Sequence, residues 1–480
     1  MVEKAIQNVE QSLEVEGVGE EIQLPQPENL TKGIEIVQDE DGGVTLDYDP
    51  NQKQSEGDYL ANLAEFMSDD LLQKLSSDLQ KNFEDDKNSR ADWEKTYKDG
   101  LDLLGFKYEE RSKPFAGAAG VTHPLLAEAV TQFQAQAYKE LLPPGGPVRT
   151  EILGAPTMET EQQAERVKGF MNYQITTEMQ EFDPELDQML FHLPLAGSAF
   201  KKVYYDSNLE RAVSKFVPAE DLVVPYFITD LESCNRITHV VKMKHNDLRK
   251  NQVSGFYRDV DVSGGSVNTD EIKDKQDELS GVEQVNFAED EHNILEMHVD
   301  LDLPGFEDMG ANNQKTGIMV PYIVTIDEDS GEVLSIYRNW NQGDPIRKKK
   351  EYFTHFKFLP GLGFYGFGLI HMLGGLSRTA TAALRQLVDA GTLSNLPAGF
   401  KARGLRIRDD DEAISPGEWR DVDAPGGNLR ESLMPLPYKE PSGTLFQLLG
   451  FVVDAGRRFA GVADMMMGEN AGSQQQPVGT

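Results

Sequence analysis

The sequence predicts an α+β fold, and three observations carry that reading. Residues 59–190 repeat apolar side chains at helical spacing, and residues 199–356 alternate apolar and polar positions in short runs bounded by turns. Near the end, two long apolar segments flank a stretch rich in proline and glycine. Helices, then a mixed sheet region, then helix, insert and helix is an α+β order, and no fixed-period repeat interrupts it.

Residues 1–57 are acidic, poor in aromatics and contain PQPENL and DEDGG, which predicts an arm that is disordered or ordered only by a partner. Helical patterning starts at YLANLAEFMSDDLLQKL, where Ser68, Asp69 and Asp70 form an N-cap cluster. A loop with Pro114, Gly117 and Gly120 precedes the helix LLAEAVTQFQAQAYKELL, which Pro143, Pro144, Gly145 and Gly146 stop. Residues 159–190 read as a further helix pair. Strands are expected at FKKVYY, RITHVVKM and ILEMHVDLDL, and the clearest hairpin is PYIVTIDEDSGEVLSIYRNW, turning from Asp327 to Gly331.

Composition narrows the function. A chain of 480 residues holds about two to four domains and can bury a sizeable core. Its 81 acidic residues against 46 basic ones give a net charge of −35, which excludes a protein that grips nucleic acid by its phosphates. The same charge suits a passage to which nucleic acid must not stick. The single cysteine, Cys234, precludes an intrachain disulfide and fits a reducing compartment. MVEKAIQNVEQ has neither the basic nor the apolar region of a secretory signal, so none is expected. Residues 358–376 are long enough to span a bilayer and contain only His371 as a strongly polar group. Pro360 and six glycines make them poor helix and weakly hydrophobic, so no membrane span is predicted.

Catalytic signals are weak. His292, Glu296, His298, Asp300 and Asp302 are the candidate metal set. In a strand, Glu296, His298, Asp300 and Asp302 share one face, and Leu295, Met297, Val299 and Leu301 the other. That is an ordinary half-buried strand, and no zinc-type spacing exists. GFYGFGL lacks the Lys-Ser/Thr of a phosphate loop, no Gly-x-Ser-x-Gly elbow occurs, and Cys234 has only Arg236 as a basic neighbour. The expectation is a non-enzyme without cofactor or metal, with a metal-dependent hydrolase on the His292 strand as the rival class. Two basic clusters remain. Arg347, Lys348, Lys349 and Lys350 read as structural; Lys401, Arg403, Arg406 and Arg408 are either a solvated strand edge or a docking patch.

The two late segments, residues 371–397 and 443–467, would each span roughly 35–40 Å as helices. Gly374, Gly375, Ala380, Ala382, Ala383, Ala390 and Gly391 allow close approach by neighbouring helices. Leu373, Leu376, Leu384, Leu387 and Val388 form an apolar stripe on the first, and Leu445, Leu448, Leu449, Phe451 and Val452 one on the second. A lone antiparallel pair leaves much of that surface wet, and copies side by side in a ring would cover it. The predicted ring-packing residues are Leu376, Ala380, Ala383, Leu384, Leu387, Val388, Leu448, Phe451 and Val452. Residues 398–442, punctuated by Pro416, Pro425, Pro435, Pro437 and Pro441, read as a compact tip.

The stretches ADWEKTYKDGLDLLGFKYEERSKPFAGAAGVTHPLL, FQAQAYKELLPPGGPV, FKFLPGLGFYGFGL and LSRTATAALRQLVDAGTLSNLPAGFKARG, with the second apolar segment, resemble the portal proteins of short-tailed, P22-like bacteriophages. They cover most of residues 91–464 and contain no active site. The resemblance implies a dodecameric ring at one vertex of the capsid, through which double-stranded DNA is packaged and ejected. It implies residues 58–370 as a mixed helix and sheet wing, 371–397 and 443–467 as a two-helix stem, and 398–442 as a small α/β clip. The clip would dock the terminase large subunit and later the tail adaptor, with Lys401, Arg403, Arg406, Arg408 and Trp419 as its docking residues. Major capsid and scaffolding proteins are further implied partners, and the implied location is the virion, with assembly in the host cytoplasm. Relatives continue past this point, so residues 468–480, with Gln474, Gln475 and Gln476, are expected to begin a tunnel loop and to be truncated. A ring-forming head or tail connector without portal function is the alternative.

Overall fold

The computed structural model describes residues 34–38, 44–48, 59–206, 209–262, 271–282, 291–309, 314–361, 363–395, 399–401, 406–407, 422–423, 433–435 and 438–466. The chain divides into two units, residues 1–55 and 56–480. The first contains strands β1 (Ile34–Gln38) and β2 (Val44–Tyr48), paired antiparallel with Ile36 opposite Leu46. A hairpin thus occupies part of the expected arm. Its sequence, IEIVQ and VTLDY around DEDGG, carries a period-two signal that the acidic composition had masked.

The second unit is mixed helix and sheet, an α+β arrangement. Helix α1 (Asp69–Ser89) follows Ser68, which occupies the cap position in extended conformation but makes no side-chain cap bond. Next come α2 (Ala91–Leu101), α3 (Leu125–Leu141), α4 (Met158–Tyr173) and α5 (Phe182–Ala196). Strands β3 (Ser198–Asp206), β4 (Arg211–Pro218), β5 (Leu222–Val223) and β6 (Arg236–Lys244) lead to α6 (His245–Val253) and α7 (Glu271–Ser280). Strands β7 (Glu291–Leu301), β8 (Val320–Asp327), β9 (Val333–Arg338) and β10 (Phe353–Lys357) complete the sheet region. Two short helices thus interrupt a region expected to be strand. Each has a single fully buried apolar anchor, Leu248 in α6 and Ile272 in α7, too little for a legible helical period.

Strands β3 to β10 form two antiparallel sheets, one in the order β5-β6-β7-β8-β9 and one in the order β10-β3-β4. The first turns Leu295, Met297, Val324 and Ile336 toward Leu72, Leu79 and Phe83 of α1. These α1 positions recur at i, i+7 and i+11, one helical face. Ser76 Oγ and Gln80 Nε2 donate to the carbonyls of Gly331 (2.6 Å) and Glu328 (2.9 Å), fixing α1 over the β8–β9 turn.

A second core joins α2, α3 and both sheets to the root of the last large helices, through Tyr97, Leu126, Phe200, Ile237, Phe353 and Leu373. The glycine-rich stretch before those helices has a packing cause. A Cβ on Gly366 would lie 2.4 Å from the Gly197 carbonyl oxygen, and one on Gly368 2.3 Å from that of Leu195. Only glycine lets this segment lie against the α5–β3 turn, where Ser198 Oγ accepts from the Gly366 N–H at 2.8 Å. Among the described residues, no helix is long and apolar enough to cross a membrane. The same segment is pinned by buried Arg90, which donates to the carbonyls of Ala219 and Leu222 and, at 2.8 Å, to the Tyr365 hydroxyl.

Candidate functional site

Helices α8 (Leu369–Asn395, 27 residues) and α9 (Gly443–Met466, 24 residues) form a hairpin. They lie where the two apolar segments were expected, with α8 beginning two residues before the predicted 371. Their antiparallel course follows from two ends. Gly391, near the end of α8, meets Pro441 just before α9. Further along α9, Gly456 packs on Leu125 and Ala460 reaches the core that holds Leu373 near the start of α8.

The root of the hairpin is built for close packing. Leu369, Ile370, Leu373, Ser377, Ala380 and Ala383 are buried. Cβ atoms on Gly100 and Gly456 would come within 2.4 and 2.5 Å of the Ile370 and Leu125 side chains, so each glycine lets those side chains pack directly on its backbone. A polar row on α8 at i, i+4 and i+8 catches the preceding loop. Thr381 Oγ1 accepts from His123 N–H (3.0 Å), Arg385 Nε donates to the Val121 carbonyl (2.7 Å), and Asp389 Oδ1 accepts from Ala119 N–H (2.7 Å). Arg385 also pairs with Glu109 at 3.0 Å. Arg457 of α9 pairs with Glu128 of α3 at 3.3 Å. This row escaped the sequence reading, although its spacing in TAALRQLVD was visible.

Away from the root, apolar side chains face outward. Leu448, Phe451 and Phe459 of α9 are 46, 72 and 51% exposed, and Val388 of α8 is 43% exposed. Phe446 is exposed on another side of α9. The predicted ring-packing set therefore separates. Ala380, Ala383 and Val452 are buried inside their own chain and cannot meet a neighbouring copy. Leu376, Leu384 and Leu387 are half-buried, and Val388, Leu448 and Phe451 are uncovered. Phe459, at i+8 from Phe451, belongs with the uncovered group and was not anticipated.

Between the helices, β11 (Gly399–Lys401) pairs with β14 (Leu433–Pro435), and β12 (Arg406–Ile407) pairs with β13 (Val422–Asp423), with Arg406 opposite Asp423. The two pairings are nested. Lys401 and Arg406 occupy ladder positions; Arg403, Arg408 and Trp419 lie outside the described residues, as do Gln474, Gln475 and Gln476.

The rival site does not assemble. Strand β7 is central, and on its polar face His298 is buried and Glu296 largely covered, a departure from the half-buried strand expected, while Asp300 is half-buried and Asp302, just past the strand, is exposed. Glu296 accepts from Lys202 Nζ of β3 at 2.6 Å through both oxygens and meets His298 Nε2 at 2.8 Å. Burial acts to raise the Glu296 carboxyl, yet Lys202 and His298 hold it well below the usual carboxylate range. Burial lowers His298 against the pull of Glu296, and burial with Lys202 beside it lowers His239 to about 3. His292 turns elsewhere, to Asp327 (3.3 Å) and His245 (3.1 Å). Among the described residues no three His, Cys, Asp or Glu side chains are placed to hold a metal ion. Cys234 is buried, donates to the Arg236 carbonyl, and has its thiol pushed up to about 11 by burial. In the first basic cluster, Arg347 pairs with Asp308, and Lys349 Nζ donates to the carbonyls of Leu231 and Cys234.

No protein-family model matches the chain, and no curated protein sequence matches it.

Proposed function

We propose that this chain is a portal protein, the subunit of a ring at a capsid vertex through which double-stranded DNA is packaged and ejected. The observation that carries the reading is the α8–α9 hairpin. Its root is locked into an α+β body, while its outer surface presents apolar side chains that its own chain leaves uncovered. A large exposed apolar surface on a rigid element marks an interface. In this reading α8 and α9 are the stem, the body is the wing, and the insert closed by β11–β14 is the clip. The clip meets the terminase large subunit during packaging and the tail adaptor afterwards, and capsid and scaffolding proteins surround the ring in the virion. The net charge of −35 favours a conduit that repels its DNA.

Negative-stain microscopy and light scattering of the purified protein test this. The expected result is a ring of many 53.5 kDa copies, twelve by the resemblance. A species that stays monomeric or dimeric at every concentration and salt overturns the proposal. Rings that never engage terminase would instead favour a connector without portal function.

A further inference from the structure

The hairpin has two uncovered apolar features, and they face different ways. The first is a ridge on α9. Leu448, Phe451, Ala455 and Phe459 recur at i, i+3, i+7 and i+11, which places them on one helical face. The second is a groove of about 610 Å³ between α8 and the loop before α3. Pro114 and Phe115 wall it, Ala382, Gln386, Ala390 and Leu393 line its α8 side, and Arg378 and Asp102 stand at its edge.

Helical geometry separates the two. Gly391 marks the side of α8 that turns toward the start of α9, through its contact with Pro441. At about 100° per residue, Ala382 and Gln386 lie roughly half a turn away from Gly391. The groove therefore opens on the side of α8 remote from α9. A chain cannot seat its own ridge in its own groove. Another copy can, and in doing so leaves its own ridge free for the next. Such a contact is heterologous and repeats until it closes. Charge agrees with this occupant. Asp454 and Arg458 of α9 border the ridge, and the groove lining carries both signs, with Asp102, Glu109 and Asp389 beside Arg111, Arg378 and Arg385, whereas an anionic polymer would meet a chain of net charge −35.

We infer that Leu448, Phe451 and Phe459 of one copy seat in the groove between α8 and residues 109–122 of the next. The inference rests on the ring reading and assigns its contact.

Two broken copies test it. Leu448→Asp with Phe451→Asp removes the ridge, and Ala382→Trp fills the groove. Each alone is expected to sediment as a 53.5 kDa monomer with the circular dichroism spectrum of the wild type. An equimolar mixture retains one intact ridge and one intact groove, so it forms a capped heterodimer and nothing larger. A mixture that stays monomeric, or either variant forming the wild-type oligomer, overturns this pairing while leaving a ring through another surface standing. Loss by the ridge variant alone overturns it in favour of ridge-to-ridge packing. A wild-type protein that never associates overturns the ring reading as well. A second measurement does not depend on Ala382→Trp folding. Phe451→Cys and Gln386→Cys proteins, mixed and oxidised, are expected to give a covalent heterodimer, with buried Cys234 silent in both. Absence of that heterodimer from an associating mixture overturns the pairing.

Discussion

Strand β7 and helix α9 invert each other. Glu296 and His298 on β7 are polar and enclosed, each answered by a partner from the same chain. Leu448, Phe451 and Phe459 on α9 are apolar and exposed, left at least partly uncovered by the described residues. The difference teaches that a functional surface is marked by unmet demand. A buried ion pair whose hydrogen bonds are satisfied is finished structure, whereas an exposed aromatic row still needs a partner.

The largest effect that separates the two regions is acid loss of stability in the body. Burial lowers His239 and His355 to about 3 and His192 to about 4. The unfolded chain binds protons at these groups below its ordinary pKa of about 6.5, and the folded chain does not, so stability is present above pH 6.5 and falls as pH drops toward 4. Three such groups give a slope of roughly 4 kcal/mol per pH unit in that window. Equilibrium denaturation at stepped pH measures it. His239→Gln is expected to flatten the slope by about a third, and an unchanged slope would mean that water reaches the site in the folded protein. Glu296, held below the carboxylate range, is lost only at lower pH, as its folded pKa is crossed.

Next in size is Glu296→Ala. It strands Lys202 and His298 between the two sheets and is expected to cost about 3–5 kcal/mol of unfolding free energy, read from the denaturant midpoint. A loss under about 1 kcal/mol would show that the pair is solvated rather than enclosed.

Val452→Ala comes third. Val452 is buried on α9, and its truncation is expected to cost about 1–3 kcal/mol by thermal or chemical unfolding. No measurable loss would place Val452 with its exposed neighbours.

Much of this division was legible in the sequence. The helices at 69–89, 125–141, 369–395 and 443–466 announce themselves by period, and the β8–β9 hairpin by its Asp-Ser-Gly turn. The separation within the stem was not legible. Period puts Ala380, Ala383 and Leu387 on the same stripe, yet the body covers the first two and leaves the third half-buried. The loop that Thr381, Arg385 and Asp389 hold is likewise a contact across more than 250 positions of chain. The glycines before α8 similarly looked like a breaker, and only the approach of Gly197 gives their reason. Local spacing predicts faces, while non-local packing decides which face is covered.

The smallest expected effect on stability is at Phe451, and it separates the two regions most sharply. Phe451 stands beside Val452 in sequence and shares its helix, but is 72% exposed. Phe451→Ser removes little buried area, so the unfolding free energy of the monomer changes by less than about 0.5 kcal/mol. Adjacent residues on one helix would then differ severalfold in their stake in the fold. If the ridge serves association, the same substitution shifts the midpoint concentration for oligomers upward by about tenfold or more, since a truncated aromatic anchor costs above about 1.4 kcal/mol of binding. Sedimentation over a concentration series reads this directly, beside a denaturation curve on the same sample. A Phe451→Ser protein destabilised as strongly as Val452→Ala would mean that the side chain is core after all. One unchanged in both stability and assembly would leave the ridge without a role, and the contrast between strand and helix would reduce to their solvent exposure.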